Sequence, residues 1–206
     1  MMRWFLASGN AHKVAELRAL AAVSGLPITI HSAREAGGMP PVVEDSGTFR
    51  GNAGKKARAL LAVLPPGAWA LADDSGLSVA ALDGRPGVYT ADWAERQWFE
   101  GAPGRDWYMA MGKVEGMLAE KGTDVDRSAA FHCVLALAWP EGDYAIYEGA
   151  CHGSLTWPPR GALGFGYDPV FVADGMDQTF AEIDPEHKHA ISHRADAFKK
   201  LVAALF

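Results

Sequence analysis

Cysteine is scarce in this 206-residue chain. Its two residues, Cys133 and Cys151, are too few for a disulfide-stapled scaffold and lack the paired spacing of a zinc site, so they are read as free thiols without assigned chemistry. Long apolar runs are also missing. The strongest, from Ala129 to Trp139, is too short to span a bilayer, and the N-terminal MMRWFLASGN has neither the apolar core nor the cleavage site of a signal peptide. A cytoplasmic location and no membrane partner are therefore expected. Positive charge is not in excess either: the formal net charge of -6 excludes a broad basic surface that coats nucleic acid, while leaving room for one local polyanion site. Internal repeats and low-complexity tails are absent. What is present is 49% hydrophobic residues, enough to bury a sizeable core in one domain spanning residues 1–206, with or without two lobes.

Helical and strand patterns alternate along the chain. Arg3 to Ala7 reads as a strand, and Val14, Leu17, Leu20 and Ala21 recur on one helical face between the Ser8-Gly9-Asn10 turn and Gly25. Leu26 to His31 is a second strand and Gly37 to Pro41 a loop. A helix is expected from Asn52 or Ala53 to Leu64, ended by Pro65-Pro66-Gly67. Trp69 to Ala72 and Leu77 to Leu82 read as two strands flanking a bend at Asp73-Asp74-Ser75-Gly76, and Gly84 to Gly87 as a turn. Arg105 to Lys121 is expected to be helical, Ala129 to Ala138 and Tyr144 to Leu155 to form a hairpin, and Val170 to Val172 a short strand. A helix carrying Phe198, Leu201, Val202 and Leu205 closes the chain. The hairpin requires antiparallel pairing, so the expected fold class is α/β around a mixed sheet.

Five segments could carry chemistry, and each also has a purely structural reading. In Ser8-Gly9-Asn10-Ala11-His12-Lys13 a helix start offers backbone N–H groups to an anion and Lys13 adds a charge; alternatively Asn10 caps and Lys13 is solvated. The spacing is not that of a Walker loop. Glu44 precedes Asn52, a candidate cap, and Lys56 on the following helix; Glu44-Asp45-Ser46-Gly47 can equally be a polar turn. The paired acids Asp73 and Asp74 suit Mg²⁺, a hard ion that shares its oxygen ligands with substrate phosphates, or else cap a turn. In Gly164-Phe165-Gly166-Tyr167-Asp168-Pro169 an aromatic held between glycines could stack on a base, or Phe165 and Tyr167 could pack in the core. Lys188-His189-Ala190-Ile191-Ser192-His193-Arg194 is a basic cluster suited to a nucleotide, or a solvated helix start capped by Ser192. Zinc on His187, His189 and His193 fits no recognised spacing.

Taken together and in order, LASGNAHKVAEL, EDSGTFRGNAGKKA, ALADDSGL with GRPGVYTA, GFGYDPVF and HKHAISHRADAF resemble the inosine triphosphate pyrophosphatase family over nearly the whole chain. The resemblance implies an elongated mixed-sheet α/β fold flanked by helices, two lobes with the active-site cleft between them, and a homodimer. It implies hydrolysis of noncanonical purine nucleoside triphosphates such as ITP, dITP and XTP to the monophosphate and pyrophosphate. By position, Ser8, Asn10 and Lys13, within the turn that includes Gly9, Ala11 and His12, would hold phosphates, and Lys56 would assist. Glu44 and Asp74 would bind Mg²⁺, with Asp74 also accepting a proton from water and Asp73 its first alternative. Ser75 would touch substrate, while Phe165, Gly166, Tyr167, Asp168, Lys188, His193 and Arg194 would form the nucleoside pocket. An exocyclic oxygen on the base would be met by a donor from Lys188, His193 or Arg194, leaving adenine's amino group unmatched. An acid stands at Asp92 where many relatives carry arginine, which removes any contact made by that arginine. A pyrophosphatase for other modified nucleotides and a non-catalytic nucleotide-binding regulator are the competing readings.

Overall fold

The computed structural model describes residues 2–95 and 104–205; residues 96–103, within the stretch from Trp93 to Arg105 to which the sequence assigns no function, lie outside them. Six strands form one sheet in the order β2-β1-β3-β4-β5-β6. They are β1 (Met2–Leu6), β2 (Ile28–Ser32), β3 (Trp69–Val79), β4 (Ser128–Ala138), β5 (Tyr144–Leu155) and β6 (Phe171–Ala173). β1 runs parallel to β2 and to β3, whereas β5 and β6 are antiparallel, so the sheet is mixed as expected. The helices are α1 (Ala11–Val23), α2 (Phe49–Leu61), α3 (Trp107–Ala119), α4 (Pro185–Ile191) and α5 (His193–Leu205). None of the described helices is long and apolar enough to cross a membrane.

The chain divides into two compact units: residues 1–75, 133–150 and 189–206, and residues 76–132 and 151–188. The first unit has two buried clusters, and strand alternation decides which residue enters which. Trp4 and Leu6, Leu71, and Cys133, Leu135 and Leu137 pack with Leu17 and Leu20 of α1 and Phe198 and Leu201 of α5. Their neighbours Phe5, Ala70 and Ala72, and Val134, Ala136 and Ala138 pack with Ala53, Ala57 and Leu60 of α2. Period-two alternation thus sends odd positions of β3 toward α1 and α5 and even positions toward α2. In the second unit α3 buries Ala110, Met111, Val114 and Leu118. Phe131, Phe171 and Phe180 form an aromatic cluster there, with ring centroids 4.6 to 6.0 Å apart.

Two sequence expectations change. The bend at Asp73-Asp74-Ser75-Gly76 does not exist: β3 runs unbroken from Trp69 to Val79, and the turn comes later, at Ala80–Leu82. Adjacent acids looked like a break, but each finds cationic partners on its own face of the sheet, so the ladder can carry them. Asn52 is not a cap. α2 begins one turn earlier, where Thr48 accepts from Gly51 N–H, and Asn52 is buried inside the helix. Its Oδ1 accepts from Ser46 N (3.1 Å) and Ser46 Oγ (2.9 Å), pinning the loop that carries Glu44.

Gly149 of β5 lets α5 approach closely. A Cβ there would lie 2.2 Å from His193 O and 2.3 Å from Ala197 N, both backbone atoms. Overpacking against a backbone that cannot rotate away costs ~2–3 kcal/mol, so Gly149→Ala is expected to lower Tm by ~5–10 °C. Gly116, on α3, has open space around its missing Cβ, and Gly116→Ala is expected to stabilise by ~0.5–1 kcal/mol through helix propensity. Thermal melts of the two variants check the contrast; equal shifts would contradict it.

Candidate active site

Alternation on β3 separates Asp73 from Asp74. Asp73 falls on the face of Leu71 and is 1% exposed. Its Oδ1 accepts from Lys13 Nζ of α1 and from Ser75 Oγ (2.9 Å); its Oδ2 accepts from Arg194 Nε (2.7 Å) and from the Cys133 thiol (3.3 Å). Arg194, on α5 and 1% exposed, spends the rest of its fork on Glu16 of α1 through Nη1 and on Ser75 Oγ through Nη2 (3.2 Å). Burial opposes ionisation of Asp73, but Arg194 and Lys13 outweigh it and hold the carboxyl well below the usual range. Burial and the Asp73 charge push the Cys133 thiol well up, so it stays protonated and donates. The cluster contains two carboxylates and two cations, all satisfied.

Asp74 falls on the opposite face, that of Ala72 and α2. Lys56, from α2 and itself buried, donates to Asp74 Oδ1 and to Glu44 Oε2, each at 2.8 Å. Asp74 Oδ2 is buried and has no hydrogen-bond partner. Desolvation is the largest influence on this carboxyl and, aided by the Glu44 charge, it prevails over Lys56 and Lys13, pushing the pKa up to about 6. Glu44 is half exposed; burial raises its pKa, yet the hydrogen bond and charge of Lys56 outweigh this and bring it below the ordinary value. An ionised carboxylate oxygen left unpaired in a buried place is costly unless a cation meets it.

At the start of α1, Asn10 does cap: its Oδ1 accepts from His12 N (2.9 Å), and Ser8 Oγ accepts from Asn10 N (3.1 Å). Gly9, Ala11 and His12 are exposed there. Lys13 is not solvated but lies on Asp73. In the second unit, Lys188 of α4 donates to Asp168 Oδ2 at 2.6 Å, with both residues buried. The same oxygen accepts from Phe165 N (2.7 Å). The Lys188 ammonium sits 5.0 Å from the centroid of the half-buried Phe165 ring. Gly164, at φ +72°, has no space for a side chain: a Cβ would lie 2.1 Å from Asp168 Oδ2. Gly166 is buried, and Tyr167 is buried edge-on to Trp107. Lys188 is thus fixed by Asp168 beneath Phe165. His193 and Arg194 belong to the first unit, and Ser192 Oγ caps α5 by accepting from Ala195 N (3.2 Å); the basic segment is not a solvated helix start.

A sequence model of the Ham1 family matches residues 4–204. The chain belongs to the Ham1 family. It is 50% identical over 203 residues to the dITP/XTP pyrophosphatase of Rhodospirillum centenum, covering 98% of this chain and 93% of that one. It is likewise 50% identical over 202 residues to the protein of that name from Zymomonas mobilis, covering 98% and 91%. Among solved structures, a HAM1 protein from Coxiella burnetii superposes with a TM-score of 0.83 at 37% identity, covering 100% of this chain and 98% of that one. A nucleoside-triphosphatase / dITP/XTP pyrophosphatase from Mycobacterium abscessus gives 0.72 at 36% identity, covering 99% of each. The family resemblance read from the motifs is borne out, as is the α/β fold with a mixed sheet.

In this Ham1 family chain two residues of the charged cluster, Glu16 and Cys133, escape a motif reading. Glu16 is an acid on the apolar face of α1, three residues after Lys13, and that placement was the available signal: a buried acid needs a cation. Cys133 gave none, since a buried cysteine in a strand is ordinary core. Asn52 was singled out for the wrong task. Asp92 lies in a short turn, Asp92–Ala94, and its neighbour Trp93 stacks under Lys113 at 4.3 Å. Among the described residues no group of three or more His, Cys, Asp and Glu could hold a metal; Asp74 and Glu44 form a two-carboxylate pair that shares Lys56.

Proposed function

We propose that this chain hydrolyses noncanonical purine nucleoside triphosphates, ITP, dITP or XTP, to the monophosphate and pyrophosphate, with Mg²⁺ as cofactor. The observation that carries the reading is Asp74 Oδ2, buried and unpartnered beside an ammonium that already binds two carboxylates. That arrangement fits Mg²⁺, which takes one or two protein carboxylates and completes its shell with waters and substrate phosphates. Asp74 and Glu44 would hold it, and when bound it neutralises phosphate charge and polarises the reacting phosphoryl group. The relatives' names, dITP/XTP pyrophosphatase, support the same substrate class.

The chain's own residues supply the remaining work. Lys56 fixes Asp74 and Glu44 in a common orientation. Asp74 orients a water and takes its proton as the oxygen joins the nucleotide phosphate and the α–β anhydride bond breaks. Pyrophosphate leaves with the bond electrons, its charge offset by Lys13, Lys56 and the N–H groups of Gly9 and Ala11 at the start of α1. Asp73 is saturated by four partners and holds Lys13 in place, so the base is assigned to Asp74 rather than Asp73. Phe165 stacks on the purine, and Lys188, held by Asp168, presents a donor to the exocyclic oxygen. A homodimer acting on the cytoplasmic nucleotide pool completes this reading.

With Mg²⁺, turnover of ITP, dITP and XTP is expected to exceed that of ATP and GTP by orders of magnitude, with monophosphate and pyrophosphate as products. Release of orthophosphate, or equal turnover of ATP, contradicts the assignment. Base reading has its own test. Lys188→Met alone strands buried Asp168 and is expected to lower Tm, so the informative variant is Lys188→Met with Asp168→Asn, which keeps an acceptor for Phe165 N. A charge-assisted hydrogen bond to the base is worth ~1.5–3 kcal/mol, so kcat/KM for ITP should fall ~10- to 100-fold while that for ATP changes little. A parallel fall in both values removes Lys188 from base recognition.

A further inference from the structure

We propose that a pocket of the first unit, on the face of α1 turned away from Lys13, binds a diphosphate group, with Arg34 as its principal cation. Ala11, Ala15 and Arg18 follow one another at helical spacing along this face, whereas Lys13 and Glu16 lie about half a turn round, on the charged cluster. Between this face and the segment after β2 lies a cavity of about 450 Å³, large enough for a small ligand with ordered water.

Its charge is opposite to that of the chain. The formal net charge is -6, yet the pocket is lined by two arginines, Arg18 and Arg34, and by no acid. Arg18 is held rigidly: Nε donates to Ile30 O (2.9 Å) and Nη2 to Glu35 Oε2 (2.8 Å). The nearby Glu35 is committed in turn, its Oε2 also accepting from Ser32 N (2.7 Å) and Ser32 Oγ (2.8 Å). Arg34 is exposed and forms no ion pair among the described residues. The Arg34 guanidinium, with its fork free of carboxylates, can meet the oxygens of a phosphoryl group bidentately, and Arg18 lines the same pocket. One end of the pocket is walled by Ser8 and Gly9, part of the turn assigned above to substrate phosphates, and a ligand spanning that end and Arg34 carries two phosphoryl groups: the terminal phosphates of a bound triphosphate or freed pyrophosphate. Pyrophosphate as the natural occupant rests on the pyrophosphatase reading; the charge of the pocket does not.

Calorimetric titration with inorganic pyrophosphate in EDTA, on wild type, Arg34→Glu and Ala15→Leu, tests this. Arg34 is on the surface and Ala15→Leu fills the cavity without touching charge, so both variants should melt like wild type. Arg34→Glu is expected to raise the Kd for pyrophosphate at least tenfold and Ala15→Leu severalfold, with IMP binding unchanged. Unaltered pyrophosphate affinity in both variants overturns the proposal and leaves Lys13 and Lys56 as the phosphate cations. Kinetics separate the two sources: a rise in both KM for ITP and the pyrophosphate inhibition constant marks the terminal phosphates of substrate, and a rise in the inhibition constant alone marks freed product. If no triphosphate yields pyrophosphate but its binding still depends on Arg34, the activity reading fails and the pocket stands.

Discussion

Asp74→Asn is expected to stabilise the metal-free protein while removing most of its turnover. The side chain's pKa rises from 3.8 to about 6 on folding, with burial the main cause. The sign follows directly. Below pH ~4 the carboxyl is protonated in both states and costs nothing; between pH 4 and 6 the unfolded chain ionises first, so stability falls as pH rises; above pH 6 the penalty is constant. A shift of about two units corresponds to ~3 kcal/mol, reduced to ~1–3 kcal/mol because the asparagine amide brings a buried NH₂ that needs partners of its own. At pH 7.5 in EDTA the variant should therefore melt ~3–8 °C above wild type. Excess Mg²⁺ should raise the wild-type Tm and leave the variant's in place, since the ligand charge is gone. Loss of a general base costs ~10²–10⁴-fold in rate, and loss of a metal ligand adds to it. A variant that melts at or below wild type in EDTA would contradict a burial penalty on Asp74, and one that turns over normally with Mg²⁺ would exclude Asp74 as both metal ligand and base.

Arg194→Met is expected to act in the opposite way, as a failure of the fold. Its guanidinium is 1% exposed and binds Asp73, Glu16 and Ser75. Methionine fills much of the volume but leaves two carboxylates in a buried place with Lys13 as the one cation of the cluster. Removing one partner of a buried ionic set costs ~3–5 kcal/mol, a large share of a typical domain's stability. Adding Glu16→Gln should restore ~1 kcal/mol or more, on the order of a coupling between contacting charges, because one of the stranded acids is then neutral. Urea titrations of the two single variants and the double variant check this. An Arg194→Met protein within ~1 kcal/mol of wild type would mean that the cluster contributes little to holding α1, β3 and α5 together.

The sequence carried the order of elements well, because strands such as Arg3 to Ala7 and helices such as that of Leu17 and Leu20 announce themselves by period. It misplaced what depended on partners distant along the chain. The acids of β3 read as a bend because a strand interior rarely holds two of them, and nothing local announced that Lys13, Arg194 and Lys56 would meet them from three helices. Asn52 read as a cap because caps are local chemistry, while its bond to Ser46 is a loop contact that helix patterns do not encode. Position along the chain suggested that Lys188, His193 and Arg194 act as one cluster. The structure gives Arg194 to Asp73 and Glu16, and Lys188 to Asp168 and Phe165.

The unbroken course of β3 makes the two adjacent acids a matter of parity. Residue 73 faces α1 and α5 and residue 74 faces α2 only because an even or odd count from Trp69 decides the side. Deleting one residue between Leu71 and Asp73 would not merely shorten the strand; it would trade the two addresses, offering the wrong carboxylate to each set of cations. Point substitutions can drift at these positions one chemical property at a time, but a single-residue insertion or deletion in this strand has no mild version, so length variation among functional descendants of this chain should be confined to stretches outside the span from Trp69 to Ser75.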